Sequence, residues 1–459
     1  MRARTVATTL QKVCKLACCG FCPIYPRGEN YGTTFPGTPK QLAKKGKTWV
    51  EAALRASGSL PEDISLLTLE ITELGSIGLL GDIRVLTVTY DKPTDLPTKF
   101  IAKFAAVDFD ARMITDLFDL TLSEVRFYTQ LQQHLDIIDT PRCYYADIER
   151  LSNKYILLIE HLGFTRSASF RDFTVPNSLS VEEARLCMLQ MASLRLHARY
   201  WGEKGKEVPW LNRTDNKLME DLIPAQEKIM WRHFVKKDQG GTKPIDWNYV
   251  VPEKLIEKWS SVKKNTFLYL SRLEKHPFRT CLHGDTRLDN WFFYNDKSSN
   301  PAAGLIDWQL ITVGISVQDL TWFFLGSVDN DFAREHEEGL LRIYLDELNK
   351  NLEKPIDEDA FFEEYSLAYF HSTVKAMVAV SKVKKSQKRN LKICDKMMCG
   401  ALAGMERRDT WAAFEKLENN GLWINHKSAI SKEILDRRKT IAGFAARVTP
   451  EELAGGVKN

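Results

Sequence analysis

The spacing of apolar residues divides the chain into a strand-rich part and a helix-rich part. Between residues 66 and 160, short segments rich in Leu, Ile, Val, Thr and Phe alternate with turns that contain Gly, Pro and Asp. Such segments between turn residues are typical of strands. We predict strands at 66–73, 83–90, 99–105, 142–148 and 154–160. Helical spacing of apolar residues predicts a short helix at 48–57 and a long helix at 111–135.

Helices predominate from residue 181 onward. The first is predicted at 181–200, and further helical segments lie near 214–235, 252–275, 316–327, 331–352, 358–381 and 388–418. One β segment interrupts them: WFFY at 291–294, then a polar turn, then GLIDW at 304–308. This order predicts a hairpin within a helical region. The pattern therefore indicates an α+β protein.

Composition and charge exclude several classes of protein. The 459 residues are 44% hydrophobic and 27% charged, which is ordinary for a globular protein. No apolar stretch reaches the roughly 18 residues that a membrane-spanning helix needs. The net charge is only +4, so we expect no nucleic-acid partner.

The positive charge is concentrated at the start of the chain. Residues 1–47 hold nine Lys or Arg and one acid, Glu29. Four of the nine cysteines also lie there: Cys14, Cys18, Cys19 and Cys22. A zinc site, S-acylation and a mitochondrial presequence remain open for this leader, as does a featureless flexible extension. We expect a flexible leader with weak contact to a membrane surface.

The segment LHGDTRLDNWFF, at 282–293, carries the strongest chemical signal. Asp285 and Asn290 lie five residues apart on a predicted loop, and Asp307 ends the returning strand of the hairpin. The hairpin would bring Asn290 and Asp307 together, with Asp285 beside them. Amide and carboxylate oxygens suit Mg²⁺, and a further carboxylate can accept a hydroxyl proton. Phosphoryl transfer to an alcohol requires this arrangement. The alternative for Asp285 is a loop carboxylate that caps backbone N–H groups.

A nucleotide clamp is expected in the strand-rich part. Lys103 lies inside an apolar strand that precedes a helix containing Glu124. Such a lysine can reach ATP phosphates, with Glu124 as its partner. The alternatives are a lysine on an edge strand and a solvated helix acid. Gly78 and Gly81, in the first turn, would allow the backbone to approach phosphates.

HGDTRLDN followed by IDWQ resembles the Brenner motif and metal aspartate of the aminoglycoside phosphotransferase and choline-kinase-like superfamily. The stretch SLRLHARYWG, at 193–202, is more similar to the ecdysteroid-kinase-like (CHK kinase-like) branch. The resemblance spans roughly residues 50–425. It implies a two-lobed protein-kinase-like fold. The small N-lobe would hold an antiparallel sheet and one long helix, and the large C-lobe would be mainly helical.

The resemblance also implies roles for individual residues. Asp285 matches the catalytic base, and Asn290 and Asp307 match the metal ligands. His283 matches a structural residue of the catalytic loop. Asp319 matches the helix aspartate that braces this loop, with a helix N-cap as its alternative. The strand at 155–162 resembles the linker that holds adenine through main-chain contacts, here around Glu160 and Leu162.

The implied activity is an ATP- and Mg²⁺-dependent phosphotransferase that acts on a hydroxyl group of a small molecule. A non-catalytic pseudokinase and a protein kinase are the alternatives. The second is disfavoured because HGD has Gly where protein kinases usually place Arg, and because only about a dozen residues separate Asp307 from Asp319. The acceptor stays open. A choline-type site needs an aromatic and acidic cage, an aminoglycoside site an acidic surface, and a sterol-like substrate an apolar cleft.

These expectations give a domain plan of four parts. The leader covers 1–47, the N-lobe 48–160, the C-lobe 161–425 and a C-terminal extension 426–459. Scattered cysteines outside the leader predict an intracellular, cytoplasmic protein. The basic leader leaves mitochondrial or membrane-associated locations as alternatives, and the oligomeric state stays open.

Overall fold

The computed structural model describes residues 24–74, 81–108, 111–112, 115–116, 118–132, 139–193, 195–202, 208, 210–213, 248–256, 276–382 and 387–419. They form two lobes connected at Glu160–Leu162. The N-lobe contains α1 (Pro39–Ala56), β1 (Leu66–Glu73), β2 (Gly81–Tyr90), β3 (Lys99–Ala105), α2 (Leu120–Arg126), β4 (Cys143–Glu149) and β5 (Lys154–Glu160).

The five N-lobe strands form one antiparallel sheet in the order β1-β2-β3-β5-β4. The predicted strands match these elements to within two residues. Side chains alternate between the two faces of the sheet. Phe100, Ala102 and Phe104 of β3 therefore pack in the core cluster that includes α1. Lys103 belongs to the opposite face, which is turned toward α2 and the C-lobe.

The single long helix predicted at 111–135 is interrupted: residues 111–112 and 115–116 are helical, a turn follows at 118–119, and α2 begins at Leu120. Within the described part of 111–135, α2 is followed by a π-helical turn at Phe127–Leu131. There the N–H of Gln132 donates to the carbonyl of Phe127 at 2.9 Å. The apolar spacing predicted the buried face, and it did not predict where the helix begins and changes its hydrogen-bond pattern.

Residues 24–47 pack on the N-lobe, so the leader boundary drawn at 47 is wrong. Helix α1 begins at Pro39, with Thr38 as its N-cap, and Phe35 and Leu42 are fully buried. Ahead of the helix, the N–H of Glu29 donates to the carbonyl of Ile148 at 3.0 Å, on edge strand β4. An edge strand exposes unpaired backbone groups, and this segment satisfies some of them. Residues 1–23 lie outside the described residues.

The C-lobe is built mainly of helices around two small sheets. Its elements are α3 (Leu162–Thr165), β6 (Ser169–Phe170), α4 (Val181–Ala192), β7 (Asn212–Arg213), β8 (Arg279–Leu282), β9 (Trp291–Asn295), β10 (Pro301–Leu305), β11 (Thr312–Ile315), α5 (Val317–Ser327), α6 (Asn330–Lys350), α7 (Glu358–Lys382), α8 (Lys388–Arg407) and α9 (Thr410–Asn419). Strands β9 and β10 form the predicted hairpin. The single helix predicted at 388–418 is two helices, and β8 and β11 were not predicted.

Most of the C-lobe helices lie where the apolar spacing placed them. The segment at 214–235, most of 252–275 and the proposed extension at 426–459 lie outside the described residues. One large core cluster joins the inner face of the N-lobe sheet to the C-lobe helices. Among the described helices, none has the length and apolar character needed to cross a bilayer.

Candidate active site

The β9–β10 hairpin brings the three predicted polar residues together. Asn290 ends a 3₁₀ turn just before β9, and Asp307 lies two residues after the end of β10. The N–H of Ile306 donates to the carbonyl of Asn290 at 2.9 Å, which fixes the two sides of the hairpin. The side-chain Nδ2 of Asn290 donates to Asp285 Oδ2 at 2.9 Å. With Nδ2 turned to Asp285, the amide oxygen Oδ1 is the atom that could bind a cation.

Lys103 connects the two lobes. Its Nζ lies 2.8 Å from Glu124 Oε1 and 2.7 Å from Asp307 Oδ1. Lys103 and Glu124 are both buried, so the edge-strand and solvated-acid alternatives are wrong. The contact with Asp307 was not predicted. It joins the lysine of the N-lobe sheet to the loop that follows the C-lobe hairpin.

Burial and shared charge set the ionisation of this cluster. Burial opposes the charge on Lys103, but the carboxylates of Asp307 and Glu124 outweigh it and raise the pKa of Lys103. Burial raises the pKa of Glu124 to about 7, because Lys103 is shared with Asp307 and only partly offsets it. Oε2 of Glu124 is buried and has no hydrogen-bond partner among the described residues. Lys103 therefore remains a cation that can contact phosphate oxygens.

Asp319 of α5 holds the backbone of the loop that carries Asp285, the predicted catalytic loop. Its Oδ2 accepts the N–H of His283 at 2.8 Å, and its Oδ1 accepts the N–H of Gly284 at 2.9 Å. Burial would raise the pKa of Asp319, but its hydrogen bond with His197 and the two nearby imidazoles lower it. The N-cap of α5 is Ser316, so the capping alternative for Asp319 is wrong.

The loop geometry depends on His283 and Gly284. His283 Nε2 lies 3.0 Å from the carbonyl of Ile306, and its Nδ1 accepts the N–H of Asp285 at 3.2 Å. Burial lowers the pKa of His283, which fits a neutral ring that donates from Nε2 and accepts at Nδ1. Gly284 has φ +80°, and a Cβ there would lie 2.2 Å from the carbonyl oxygen of Leu310. Glycine is therefore required at this position.

Sequence reasoning missed several side chains that surround Asp285 and Asp319. The indole Nε1 of Trp322 donates to Asp285 Oδ1 at 2.7 Å, and Arg287 Nε lies 3.4 Å from Oδ2. Burial would raise the pKa of Asp285, but Arg287, Lys375 and the Trp322 hydrogen bond lower it. The spacing of Asp319 and Trp322, three residues apart on one helix, could have indicated that both face the loop.

His197, which contacts Asp319, was also not predicted from the sequence. Its Nε2 lies 3.2 Å from Asp319 Oδ2, and its Nδ1 lies 2.7 Å from the hydroxyl of Tyr344. It belongs to the SLRLHARYWG stretch, which in the sequence analysis served only to indicate the family resemblance. A single histidine between apolar residues in the sequence does not indicate a contact with Asp319.

The described residues among those predicted to bind the nucleotide lie near the junction of the lobes. Gly81 begins β2, and a Cβ there would lie 3.3 Å from Lys103 Cε, so the backbone passes close to the lysine. Gly78 lies outside the described residues. The N–H of Glu160 already donates to the carbonyl of Arg142 at 2.8 Å. Leu162 is the first residue of α3, where a backbone N–H has no intrahelical acceptor. Adenine binding at Glu160 and Leu162 stays a prediction.

The donor set fits a magnesium–nucleotide complex better than a site made of protein ligands alone. No group of three or more His, Cys, Asp or Glu side chains in the described part of the chain could hold a metal ion. Asn290 and Asp307 could supply two hard oxygen ligands. Mg²⁺ typically takes one or two protein carboxylates and completes its coordination with phosphate oxygens and water.

One surface depression lined by described residues lies away from this group. It is open, has a volume of about 500 Å³ and is lined in part by Arg166, Arg171, Glu183 and Tyr294. None of the predicted site residues lines it. Its two arginines are already paired, Arg166 with Glu160 and Arg171 with Glu183.

Comparison with known proteins gives the family. A model described as the ecdysteroid kinase-like family matches residues 83–355, which is more than half of the chain. The chain belongs to this family. The match confirms the resemblance inferred from the sequence motifs. No curated protein matches the chain.

Solved structures of small-molecule kinases are also similar to this ecdysteroid kinase-like protein. Choline kinase LicA from Streptococcus pneumoniae is 15% identical, with 74% of this chain and 94% of that chain covered and a TM-score of 0.42. The GDP complex of wild-type aminoglycoside 2'-phosphotransferase-IIIa is 13% identical, with 76% and 98% covered and a TM-score of 0.39. Plasmodium vivax ethanolamine kinase is 11% identical, with 79% and 89% covered and a TM-score of 0.39.

Proposed function

We propose that the protein is an ATP- and Mg²⁺-dependent phosphotransferase that acts on a hydroxyl group of a small molecule. The observation that carries the proposal is the chain of contacts from Asp285 to Lys103. Asn290 connects Asp285 to the hairpin that also holds Asp307, and Asp307 in turn contacts Lys103. The residues that we propose as the base, the metal ligands and the phosphate-binding cation are thus connected to one another through these contacts.

Each residue has a role in this proposal. Lys103 would bind the phosphates of ATP, with Glu124 holding the ammonium in place. Asn290 Oδ1 and the Asp307 carboxylate would hold Mg²⁺, which when bound neutralises negative charge on the phosphate oxygens. Asp285 would accept a hydrogen bond from the acceptor hydroxyl and orient its oxygen toward the γ-phosphate. Most of the rate enhancement would come from positioning and electrostatics.

A low pKa of Asp285 suits the orienting role. A weakly basic carboxylate stays ionised over the physiological range and holds the hydroxyl as a hydrogen-bond acceptor. The proton can pass to it late, when the bond between the acceptor oxygen and phosphorus is already forming. Asp319 supports this by fixing the loop backbone through two N–H groups.

Trp322 bears on the class of acceptor. Lys375 Nζ lies 3.8 Å from the centroid of the Trp322 ring, whose indole N–H donates a hydrogen bond to the Asp285 carboxylate. That ring face is therefore closed to a quaternary ammonium, which would need an aromatic face and nearby acids. We infer that a neutral or anionic alcohol is a better acceptor than choline.

The experiment compares ADP formation from Mg·ATP with a panel of alcohols. It includes choline and its uncharged isostere 3,3-dimethylbutan-1-ol, together with Asp285→Asn as the inactive control. We expect turnover that depends on the acceptor and is lost in Asp285→Asn, with no preference for choline over the isostere. Tight binding of Mg·ATP without turnover on any alcohol or water would instead support the pseudokinase. A preference for choline would contradict the inference about the acceptor alone.

A further inference from the structure

One side chain from a C-lobe helix contacts the Asp285 carboxylate, and a second side chain from another C-lobe helix packs on the first. Trp322 of α5 donates its indole N–H to Oδ1 at 2.7 Å. Lys375 of α7 lies over the same indole, with Nζ 3.8 Å from the ring centroid. We propose that Trp322 and Lys375 act as one unit of positioning residues that fixes the Asp285 carboxylate for phosphoryl transfer. Its catalytic part rests on the proposed function.

Each of the two carboxylate oxygens of Asp285 accepts a hydrogen bond from a different side chain. Trp322 Nε1 donates to Oδ1, while Asn290 Nδ2 donates to Oδ2 at 2.9 Å. Both donors belong to planar groups, so together they define the orientation of the carboxylate plane. An ionised carboxylate offers about four lone-pair directions, so further directions remain for an acceptor hydroxyl. Loss of the Trp322 bond would leave only the Oδ2 side fixed.

Lys375 contacts the loop as well as the indole. Its ammonium donates to the carbonyl oxygen of Gly284, the residue before the base. Gly284 is tightly packed against Leu310, as the 2.2 Å approach of a Cβ at this position indicates. One ammonium therefore holds both the backbone that leads into Asp285 and the ring that binds its side chain. This double contact is the reason to treat the pair as a unit.

The charge of Lys375 has a physical role in this unit. A cation over an aromatic face is attracted to the ring and polarises it, which strengthens the indole N–H as a donor. Among the described residues, no carboxylate lies within 4 Å of Nζ to pair with it. Burial lowers the pKa of Lys375, and Asp285 and Asp319 only partly offset this. An apolar side chain would pack here at a lower cost if packing were the only role.

The first test reads the contact without any turnover. The chain has 11 tryptophans, so protein labelled with ¹⁵N at the indole ring should give as many indole N–H signals. Trp322→Phe identifies the signal of Trp322. We expect that signal at the low-field edge of the group, because its N–H binds a carboxylate. Lys375→Met should move it upfield and speed its exchange with solvent about ten-fold, whereas Lys375→Arg should restore both properties.

Lys396 provides a matched control. Its Nζ lies 4.5 Å from the ring centroid of Phe173 and donates to the carbonyl of Phe173 at 2.7 Å. Lys396→Met therefore removes the same two kinds of contact elsewhere in the C-lobe, together with an ion pair to Asp329 Oδ1 at 2.8 Å. It should leave the Trp322 signal unchanged. If Lys375→Met also leaves the signal and its exchange unchanged, the two side chains do not act as a unit and the proposal is wrong.

The second test measures catalysis as ADP release from Mg·ATP, with water as the acceptor. Trp322→Phe and Lys375→Met should each lower kcat about ten-fold, with the KM for Mg·ATP changed less than about two-fold. The double variant should lose no more than either single variant, because residues of one unit are not additive. Fully additive losses would contradict the shared role.

The two tests separate this inference from the proposed function. If the wild-type protein does not turn over ATP and the Trp322 signal responds as expected, the proposed function fails while the positioning unit stands. If turnover is normal and the signal is unaffected by Lys375→Met, the proposed function stands and the unit fails. Restoration of kcat by Lys375→Arg would show that the cation, and not its exact shape, is what matters.

Discussion

Asp285 is the residue on which the proposed chemistry depends most directly. Asp285→Asn keeps the shape and one acceptor oxygen, but it removes the negative charge that orients the hydroxyl. We expect phosphoryl transfer to fall on the order of 10²–10⁴-fold, with Mg·ATP affinity retained. Calorimetry and ADP release measure the two quantities separately. Near-normal transfer in this variant would remove Asp285 from the mechanism.

Asp307 should respond differently because it is expected to bind the metal. Asp307→Ala removes one hard anionic ligand and also frees Lys103 from one of its two carboxylates. Activity should fall, and a higher Mg²⁺ concentration should recover part of it. Titration of Mg²⁺ at fixed ATP checks this against Asp285→Asn, in which added Mg²⁺ should recover nothing. Identical responses of the two variants would show that their roles are not divided in this way.

At the scale of elements, α5 couples the stability of the C-lobe to the shape of the catalytic loop. Asp319 accepts two backbone N–H groups of the loop, and it is almost fully buried. Asp319→Asn would turn an amide N–H₂ toward one of these donors. We expect a loss of about 3 kcal/mol in the free energy of unfolding, together with loss of transfer. Thermal unfolding compared with Asp346→Asn, at an exposed position on α6, measures it. If the Tm of Asp319→Asn equals that of the control, Asp319 does not stabilise the loop backbone.

The sequence predicted these elements unevenly, for physical reasons. Strands such as Leu66–Glu73 and Lys99–Ala105 have apolar segments that end at Pro, Gly or Asp turns, so their limits could be read directly. The helix before Cys143 could not, because its apolar face continues through the π-helical turn at Phe127–Leu131. Strands such as Arg279–Leu282 are short and fully buried and carry no period of their own.

The residues of the candidate site also divide into those that local sequence patterns predict and those that they do not. Asp285, Asn290 and Asp307 are tied by one hairpin, and local spacing was enough to bring them together. The contacts of Trp322, Lys375 and His197 depend on how α5, α6, α7 and the segment after α4 pack together, which no local pattern records. The Lys103–Asp307 contact crosses 204 positions of sequence, so it too is visible only in the folded chain.

At the scale of the whole molecule, the N-terminal segment decides where the folded unit begins. Phe35 and Leu42 are both fully buried in the cluster beneath α1, and the segment before them pairs with edge strand β4. Deletion of residues 1–47 should therefore destabilise the N-lobe, by about 5 kcal/mol or more for these two side chains. This outcome is the opposite of what a flexible leader over residues 1–47, as expected from the sequence, would give. Deletion of residues 1–23 should leave the Tm unchanged.

The same pair of truncations separates folding from any contact with a membrane. Residues 1–23 include four basic residues and no acidic residue. Each basic residue is expected to contribute about 1 kcal/mol of attraction to an anionic surface. We expect the full chain to bind phosphatidylserine vesicles at low salt, and the chain without residues 1–23 to lose that binding while it keeps its Tm and its affinity for Mg·ATP. Phe35→Ala in the full chain supplies the matched control, since it should lower the Tm and leave vesicle binding unchanged. Equal vesicle binding with and without residues 1–23 would contradict the membrane role, and a normal Tm after deletion of residues 1–47 would contradict the packing role of residues 24–47.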